Sequence, residues 1–179
     1  MASSPFTLAH LSDPHLPMPA ASAGQLLNKR FTGYVNWWRR RVHLHVPEAL
    51  AGVVADIKAQ KPDHIALTGD LVNISLPQEY RRAAEWLAGF DGPDRITIVP
   101  GNHDVYVPTV WSETLGLWGA YMAGDGAPPV QGLEAFPALR RRGDVALVGL
   151  STGVPKPPLL ATGTLGEDCL LYTSDAADE

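Results

Sequence analysis

Three short motifs in this chain contain the side-chain types of a hydrolytic metal site. They are Asp13-Pro14-His15, Gly69-Asp70-Leu71-Val72-Asn73 and Gly101-Asn102-His103-Asp104. Carboxylate, imidazole and amide groups suit hard or borderline divalent cations. Two such cations, roughly 3.5 to 4 Å apart, lower the pKa of water and neutralise phosphoryl oxygens. The residue types therefore indicate metal-dependent hydrolysis of phosphate esters.

Each motif directly follows an apolar run, at residues 6–11, 64–67 and 96–99. Such runs are typical of buried parallel strands, whose carboxyl ends deliver loops to one edge of a sheet. Gly69 and Gly101 stand where the chain must turn sharply and let its backbone approach an ion closely. We therefore expect the three motifs to converge on one site.

Two stretches with helical periodicity separate the predicted strands. The first begins at Pro47, and the second follows residues 75–78, whose Ser75 and Gln78 have the form of a capping box. This β-α-β-α-β order predicts an α/β domain with helical crossovers. A turn at residues 142–144 is expected to join a strand at 145–150 to residues 138–140, with the arginines at 140–142 solvated.

The motif series, in this order and after strands, resembles the calcineurin-like metallophosphoesterase superfamily. The long stretch between the first two motifs resembles bacterial members of the phosphodiesterase type. The resemblance covers about residues 5–165. It implies an α/β fold of the αββα sandwich type, with two sheets stacked between helical layers. It also implies hydrolysis of phosphodiesters, such as cyclic nucleotides, or of phosphomonoesters, with two divalent ions (Mn²⁺, Fe²⁺ or Zn²⁺).

The resemblance assigns metal ligands residue by residue. Asp13 and His15 would bind the first metal, Asp70 would bridge both metals, and Asn102 would bind the second through its amide oxygen. Taken singly, these residues are also common in ordinary turns and caps. Their joint occurrence, in order and at strand ends, favours the metal site.

The same resemblance gives roles to three residues that would not bind metal. His103 would stabilise or protonate the leaving oxygen, and pairing with Asp104 would keep a proton on the His103 ring. Asn73 would orient Asp70 from outside the ligand set. The other four histidines have no such support. His10 and His64 are predicted in strands, and residues 43 and 45 in a loop or on the surface.

Length and composition predict a single soluble, cytoplasmic domain. The 179 residues, 45% of them hydrophobic, suffice for one core, and neither a signal peptide nor a membrane-spanning run is recognisable. One cysteine, Cys169, excludes a disulfide framework. The formal net charge of −5 argues against nucleic-acid binding. The expected partner is a small phosphate-ester substrate.

The stretch that begins at Gln25 and ends at Arg41 interleaves aromatic, aliphatic and basic residues. Three interpretations remain open for it. It could lie at a membrane interface, as a peripheral contact. It could cap the active site and bind an anionic substrate, or it could pack on the core with a solvated basic end.

After His103 the sequence contains no histidine. The family pattern continues with histidine motifs that supply further ligands, so the resemblance implies a C-terminally truncated domain. Residues 169–179 read like a translated sequencing adapter. We expect residues 1–168 to be the N-terminal part of a metallophosphoesterase domain and residues 169–179 to be a non-native tail. Two alternatives to a phosphodiesterase remain: a pyrophosphatase for a lipid-linked nucleotide, and an inactive metal-binding or partner-binding domain.

Overall fold

The computed structural model describes residues 5–41, 46–158, 160–167 and 169–171. In these ranges the strands are β1 (Leu8–Ser12), β2 (His64–Thr68), β3 (Ile96–Val99), β4 (Ala138–Arg142) and β5 (Val145–Gly149). The α-helices are α1 (Arg30–Asn36), α2 (Pro47–Gln60), α3 (Pro77–Phe90) and α4 (Gly119–Met122). Single 3₁₀ turns occupy Ala23–Leu26, Trp111–Glu113, Leu115–Trp118 and Leu133–Ala135, and a π-helical turn, Trp37–Arg41, follows α1.

The sheet that carries the three motifs is parallel, as the sequence predicts. Its order is β1-β2-β3, with Leu8 opposite His64 and Ile65 opposite Ile96. Strands β4 and β5 form a separate antiparallel hairpin. The described core contains β2 and β3, the inner face of α3, and Trp118. The result is a mixed α/β fold in which three strand ends share one edge.

Strand β1 begins two residues later than predicted. The backbone N–H of Thr7 donates to the Asp63 carboxylate at 2.7 Å, and the first paired residue of the β1–β2 register is Leu8. In the described ranges, no helix has the length and apolarity needed to cross a bilayer.

The start of α3 also differs from the prediction, because Ser75 does not cap this helix. The Ser75 hydroxyl donates to the backbone carbonyl of His103 at 2.8 Å. Glu79, in the first turn, accepts the Leu76 N–H at 2.8 Å instead. The acidic side chain therefore satisfies the N-terminal backbone of α3.

The hairpin turn at residues 142–144 is confirmed, but the expectation that Arg140 is solvated is wrong. Arg140 is buried, and its guanidinium donates to five backbone carbonyls. Arg141 is exposed, as expected. Because successive side chains of a strand lie on opposite faces, Arg140 points into the core while Arg141 is exposed to solvent.

His10 and His64 lie in strands, which confirms their prediction; residues 43 and 45 fall outside the described ranges. His64 is fully buried, and its Nε2 lies 2.7 Å from the Thr97 hydroxyl. Burial, with nearby arginines, lowers the pKa of His64 to about 4. In an unfolded chain a histidine has a pKa of about 6.5.

We expect His64 to make stability fall with acidification. The folded state binds a proton on His64 more weakly than the unfolded state does. The contribution of His64 to the free energy of unfolding is therefore complete above about pH 6.5, and it decreases by about 3 kcal/mol as the pH approaches 4. Urea denaturation across this range should show a shallower pH dependence for His64→Phe than for the unchanged chain. His10→Phe, at an exposed histidine of β1, is the control; equal slopes for both variants would contradict the prediction.

Candidate metal centre

The three predicted motifs meet at the carboxyl ends of β1, β2 and β3. Asp13, Asp70 and Asn102 line one cleft of about 290 Å³, and residues 152–154 and 161–163 also contribute to its lining. His15 and Asp70 are buried, whereas Asp13 and Asn102 are exposed. The structure thus brings the four sequence-predicted ligands to one edge of the sheet.

Backbone hydrogen bonds fix the first two motif loops to each other. The His15 N–H donates to the Asp70 carbonyl at 3.0 Å, and the Asp13 N–H donates to Thr68 at 3.3 Å. Asp13, His15 and Asp70 all adopt left-handed backbone conformations, with φ of 50°, 38° and 45°. Residues other than glycine rarely adopt such angles, and they cluster at functional sites when they do.

The side chains of His15, Asp70 and His103 form a compact group. One potential ligand atom from each lies within 4.8 Å of the other two, and His15 Nε2 is 3.8 Å from Asp70 Oδ2. Ligand atoms about 2.0 to 2.2 Å from a common zinc ion lie at most about 4.3 Å apart. The nitrogen and oxygen of His15 and Asp70 therefore fit a shared divalent cation.

A hydrogen bond orients the His15 ring for this purpose. Nδ1 lies 3.2 Å from the backbone carbonyl of Val72. A carbonyl only accepts, so Nδ1 carries the hydrogen and Nε2 presents its lone pair on the side of Asp70. Histidines that bind metals are commonly held in this way by a partner on the other ring nitrogen.

Gly101 leaves the space that the Asp70 carboxylate occupies. A Cβ at position 101 would overlap Asp70 Oδ1 and would lie 2.7 Å from both Asp70 N and Gly69 Cα. A real Cβ does not approach backbone atoms this closely, so only glycine permits the observed packing. The close neighbour of Gly101 in the structure is the Asp70 carboxylate, and the predicted approach of its backbone to an ion stays a prediction.

His103 contacts both other motifs. Its backbone N–H donates to Asp70 Oδ1 at 2.8 Å, and Nδ1 hydrogen bonds the backbone carbonyl of Asn73. Its ring stacks on Tyr106, with centroids 5.6 Å apart, and meets His15 edge-on. Because Nδ1 is committed to a carbonyl, Nε2 is the nitrogen through which this ring would bind a metal or a phosphate oxygen.

Asp104 does not make the pairing predicted for it. Its buried carboxylate accepts the N–H groups of Leu71, Val72 and Gly101 at 2.9 to 3.0 Å, rather than a hydrogen from the His103 ring. Burial raises the pKa of Asp104 to about 7, against the opposing effect of these hydrogen bonds. The side chain therefore ties the loop after β2 to the loop after β3.

Asn73 also acts differently from its predicted contact with Asp70. Its side-chain amide donates to the Leu16 carbonyl at 2.9 Å and to Glu79 Oε1 at 3.1 Å. Both partners only accept, which fixes the orientation of the amide. Among the described residues, Asn73 Oδ1 is buried without a hydrogen-bond partner. The contact of Asn73 with the site is made by its backbone carbonyl, which hydrogen bonds Nδ1 of His103.

A second cleft, of about 280 Å³, adjoins His103. Its wall includes Thr32, Asn36, Trp37, Tyr106 and Lys29. The Lys29 ammonium donates to the carbonyls of Tyr106 and Lys156 at 3.3 and 2.9 Å and lies 3.9 Å from the Tyr106 ring centre. These contacts anchor α1 beside the site and favour the cap interpretation of residues 25–41.

Two comparisons with known proteins agree with this geometry. The model of the calcineurin-like phosphoesterase family matches residues 6–154. The chain is also 29% identical over 99 residues to the glycerophosphodiester phosphodiesterase GpdQ of Enterobacter lignolyticus (strain SCF1). That match covers 54% of this chain and 29% of the relative's length.

Proposed function

Since the chain belongs to the calcineurin-like phosphoesterase family of metal-dependent hydrolases, we propose that its domain hydrolyses a small phosphodiester at a dinuclear metal centre. The observation that carries this proposal is the convergence of His15, Asp70 and His103 within 4.8 Å. Asp13 and His15 would hold one ion, Asn102 would hold the other, and Asp70 would bridge them. Residues 13, 70 and 102 line the same cleft, which supports a common site for these ligands.

The metal ions would supply an activated water and neutralise the phosphoryl oxygens. His103 would act on the leaving oxygen. The Asn73 carbonyl fixes its ring through Nδ1. The protonated ring would then donate the Nε2 hydrogen to the leaving oxygen as its bond to phosphorus breaks, so that this group departs as an alcohol. The cleft beside His103 would hold the organic part of that alcohol between Trp37 and Tyr106.

The proposed activity is tested by metal binding and turnover together. We expect the chain to bind Mn²⁺ in calorimetry and to hydrolyse bis(p-nitrophenyl) phosphate only when Mn²⁺ is present, at a low rate because no histidine follows His103 to supply the further ligands of the family pattern. Asp70→Asn should lower turnover by about 100-fold or more, because the carboxylate proposed to bridge the metals is lost. Asp56→Asn, at an exposed position of α2, is the matched control. Full turnover in Asp70→Asn would refute the proposed centre, and metal binding without any turnover would favour the inactive-domain alternative.

The substrate alternatives have different structural support. The relative's name suggests a glycerophosphodiester as a further test substrate beside a cyclic nucleotide. A lipid-linked nucleotide is favoured by exposed apolar side chains around α1: Leu27 is 87% exposed, Phe31 58% and Trp38 63%, next to the exposed Arg39 and Arg40. A substrate panel, with flotation on anionic vesicles, separates these classes. Absence of flotation would end the membrane-contact proposal.

A further inference from the structure

Glu79 is buried, and its carboxylate accepts hydrogen bonds from one short segment of the chain. Oε1 accepts the backbone N–H of Asn73 at 2.7 Å and its side-chain N–H at 3.1 Å. Oε2 accepts the N–H groups of Ile74 and Leu76 at 3.2 and 2.8 Å. Four donors thus converge on two oxygens, which a carboxylate accommodates because it only accepts. We call residues 73–76 the cradle segment.

Arg30, from α1, holds the cradle segment from its carbonyl side. Its Nε donates to the Ile74 carbonyl at 3.1 Å, and its Nη2 donates to the Ser75 carbonyl at 2.7 Å. Charged donors and acceptors make stronger hydrogen bonds than neutral ones. The backbone N–H groups of residues 73, 74 and 76 are therefore fixed by Glu79 of α3, and the carbonyl groups of residues 74 and 75 by Arg30 of α1.

The cradle segment in turn holds His103 at two points. The Asn73 carbonyl accepts the hydrogen on Nδ1 of the ring. The Ser75 hydroxyl donates to the His103 carbonyl at 2.8 Å and accepts the Tyr106 N–H at 3.0 Å. Ser75 keeps a left-handed backbone, with φ of 59°, to make these contacts. Glu79 bonds twice to the residue whose carbonyl orients the ring.

We propose that Glu79 is a positioning residue for His103, which acts through the cradle segment, and that Arg30 is its counterpart on the opposite side. In this arrangement the two charged side chains fix the ring so that Nδ1 carries the hydrogen and Nε2 meets the substrate. The effect that Glu79 is expected to have on kcat rests on the proposed function, whereas its effect on the orientation of the His103 ring does not.

Glu79→Gln is the variant that tests the proposal. Glutamine keeps the size of the side chain but directs its own N–H groups at backbone donors. Long-range ¹H–¹⁵N NMR in alkaline buffer, with the His103 signals assigned by His103→Gln, should show hydrogen on Nδ1 in the unchanged chain. In Glu79→Gln we expect the hydrogen to be shared between Nδ1 and Nε2. With Mn²⁺ present, kcat should fall about 10- to 100-fold while KM changes little.

Glu85→Gln is the control, because Glu85 is an exposed residue of the same helix. An Nδ1 signal and a kcat in Glu79→Gln equal to those of Glu85→Gln would overturn the proposal. Should Glu79→Gln fail to fold, Arg30→Gln tests the same cradle segment from α1, with the same expected shift and the same contradicting result. A tautomer shift in a chain without turnover would support the positioning role and refute only the proposed activity.

Discussion

Gly101→Ala should weaken metal binding by about 100-fold or more and destabilise the domain. The added Cβ would overlap Asp70 Oδ1 and lie 2.7 Å from two backbone atoms, Asp70 N and Gly69 Cα. Two of these three atoms belong to the backbone, and the third, Asp70 Oδ1, accepts the His103 N–H at 2.8 Å, so none of them can move away without loss. Displacing the Asp70 carboxylate removes the ligand proposed to bridge both metals, and overpacking in a buried site costs about 1 to 3 kcal/mol.

Gly92→Ala provides the matched control for this substitution. A Cβ at position 92 would meet no atom within 4 Å, and this glycine lies at the exposed start of the turn before β3. Mn²⁺ calorimetry and urea denaturation of both variants give the comparison. Wild-type Mn²⁺ affinity in Gly101→Ala would show that the Asp70 carboxylate does not need the space that glycine leaves.

Arg140→Met is expected to have the largest effect on stability. The Arg140 guanidinium donates to Ala123 at 2.7 Å, Ile96 at 2.9 Å, Ala120 at 3.0 Å and Tyr121 at 3.2 Å, and also to Pro93. Methionine would fill much of the volume but leave all five carbonyls without this donor, and two of them, at Ala123 and Ile96, lie in buried contacts. Each buried acceptor left unsatisfied costs about 1 to 3 kcal/mol, so the two together predict a loss of about 2 to 6 kcal/mol.

Arg141→Met is the control, since Arg141 is exposed on the other face of the same strand. Urea denaturation should show a much lower midpoint for Arg140→Met and a midpoint near that of the unchanged chain for Arg141→Met. Similar midpoints for the two variants would mean that water satisfies the carbonyls after the arginine is removed.

The strand ends and the polar residues that follow them could be predicted because local sequence determines them. Each apolar run stops at a polar motif, so residues 13, 15, 70 and 102 could be placed at one sheet edge before any coordinates were known. The inward direction of Arg140 could not be predicted, because three consecutive arginines read as a solvated turn. Its burial depends on carbonyls from β3 and α4, which are distant in sequence.

The supporting contacts of the site were also beyond local reasoning. Glu79 stands six residues after Asn73, and its acidic side chain in a first helical turn was the available signal. The capping-box pattern assigned that role to Ser75 and Gln78 instead. Asp104 bonds to residues 71 and 72 from a different loop. Such partners become apparent only when the two loops are placed side by side.

The left-handed backbone at Asp13, His15 and Asp70 has a consequence for engineering this domain. Each such residue holds about 1 to 3 kcal/mol of conformational strain that glycine would not. Selection for thermal stability alone would therefore favour glycine at the three positions whose side chains are proposed to bind the metals. In a library screened only for melting temperature, we expect glycine to accumulate at these three positions and metal affinity to fall. The residues that maximise stability at the edge of this sheet are therefore different from those that the proposed function requires.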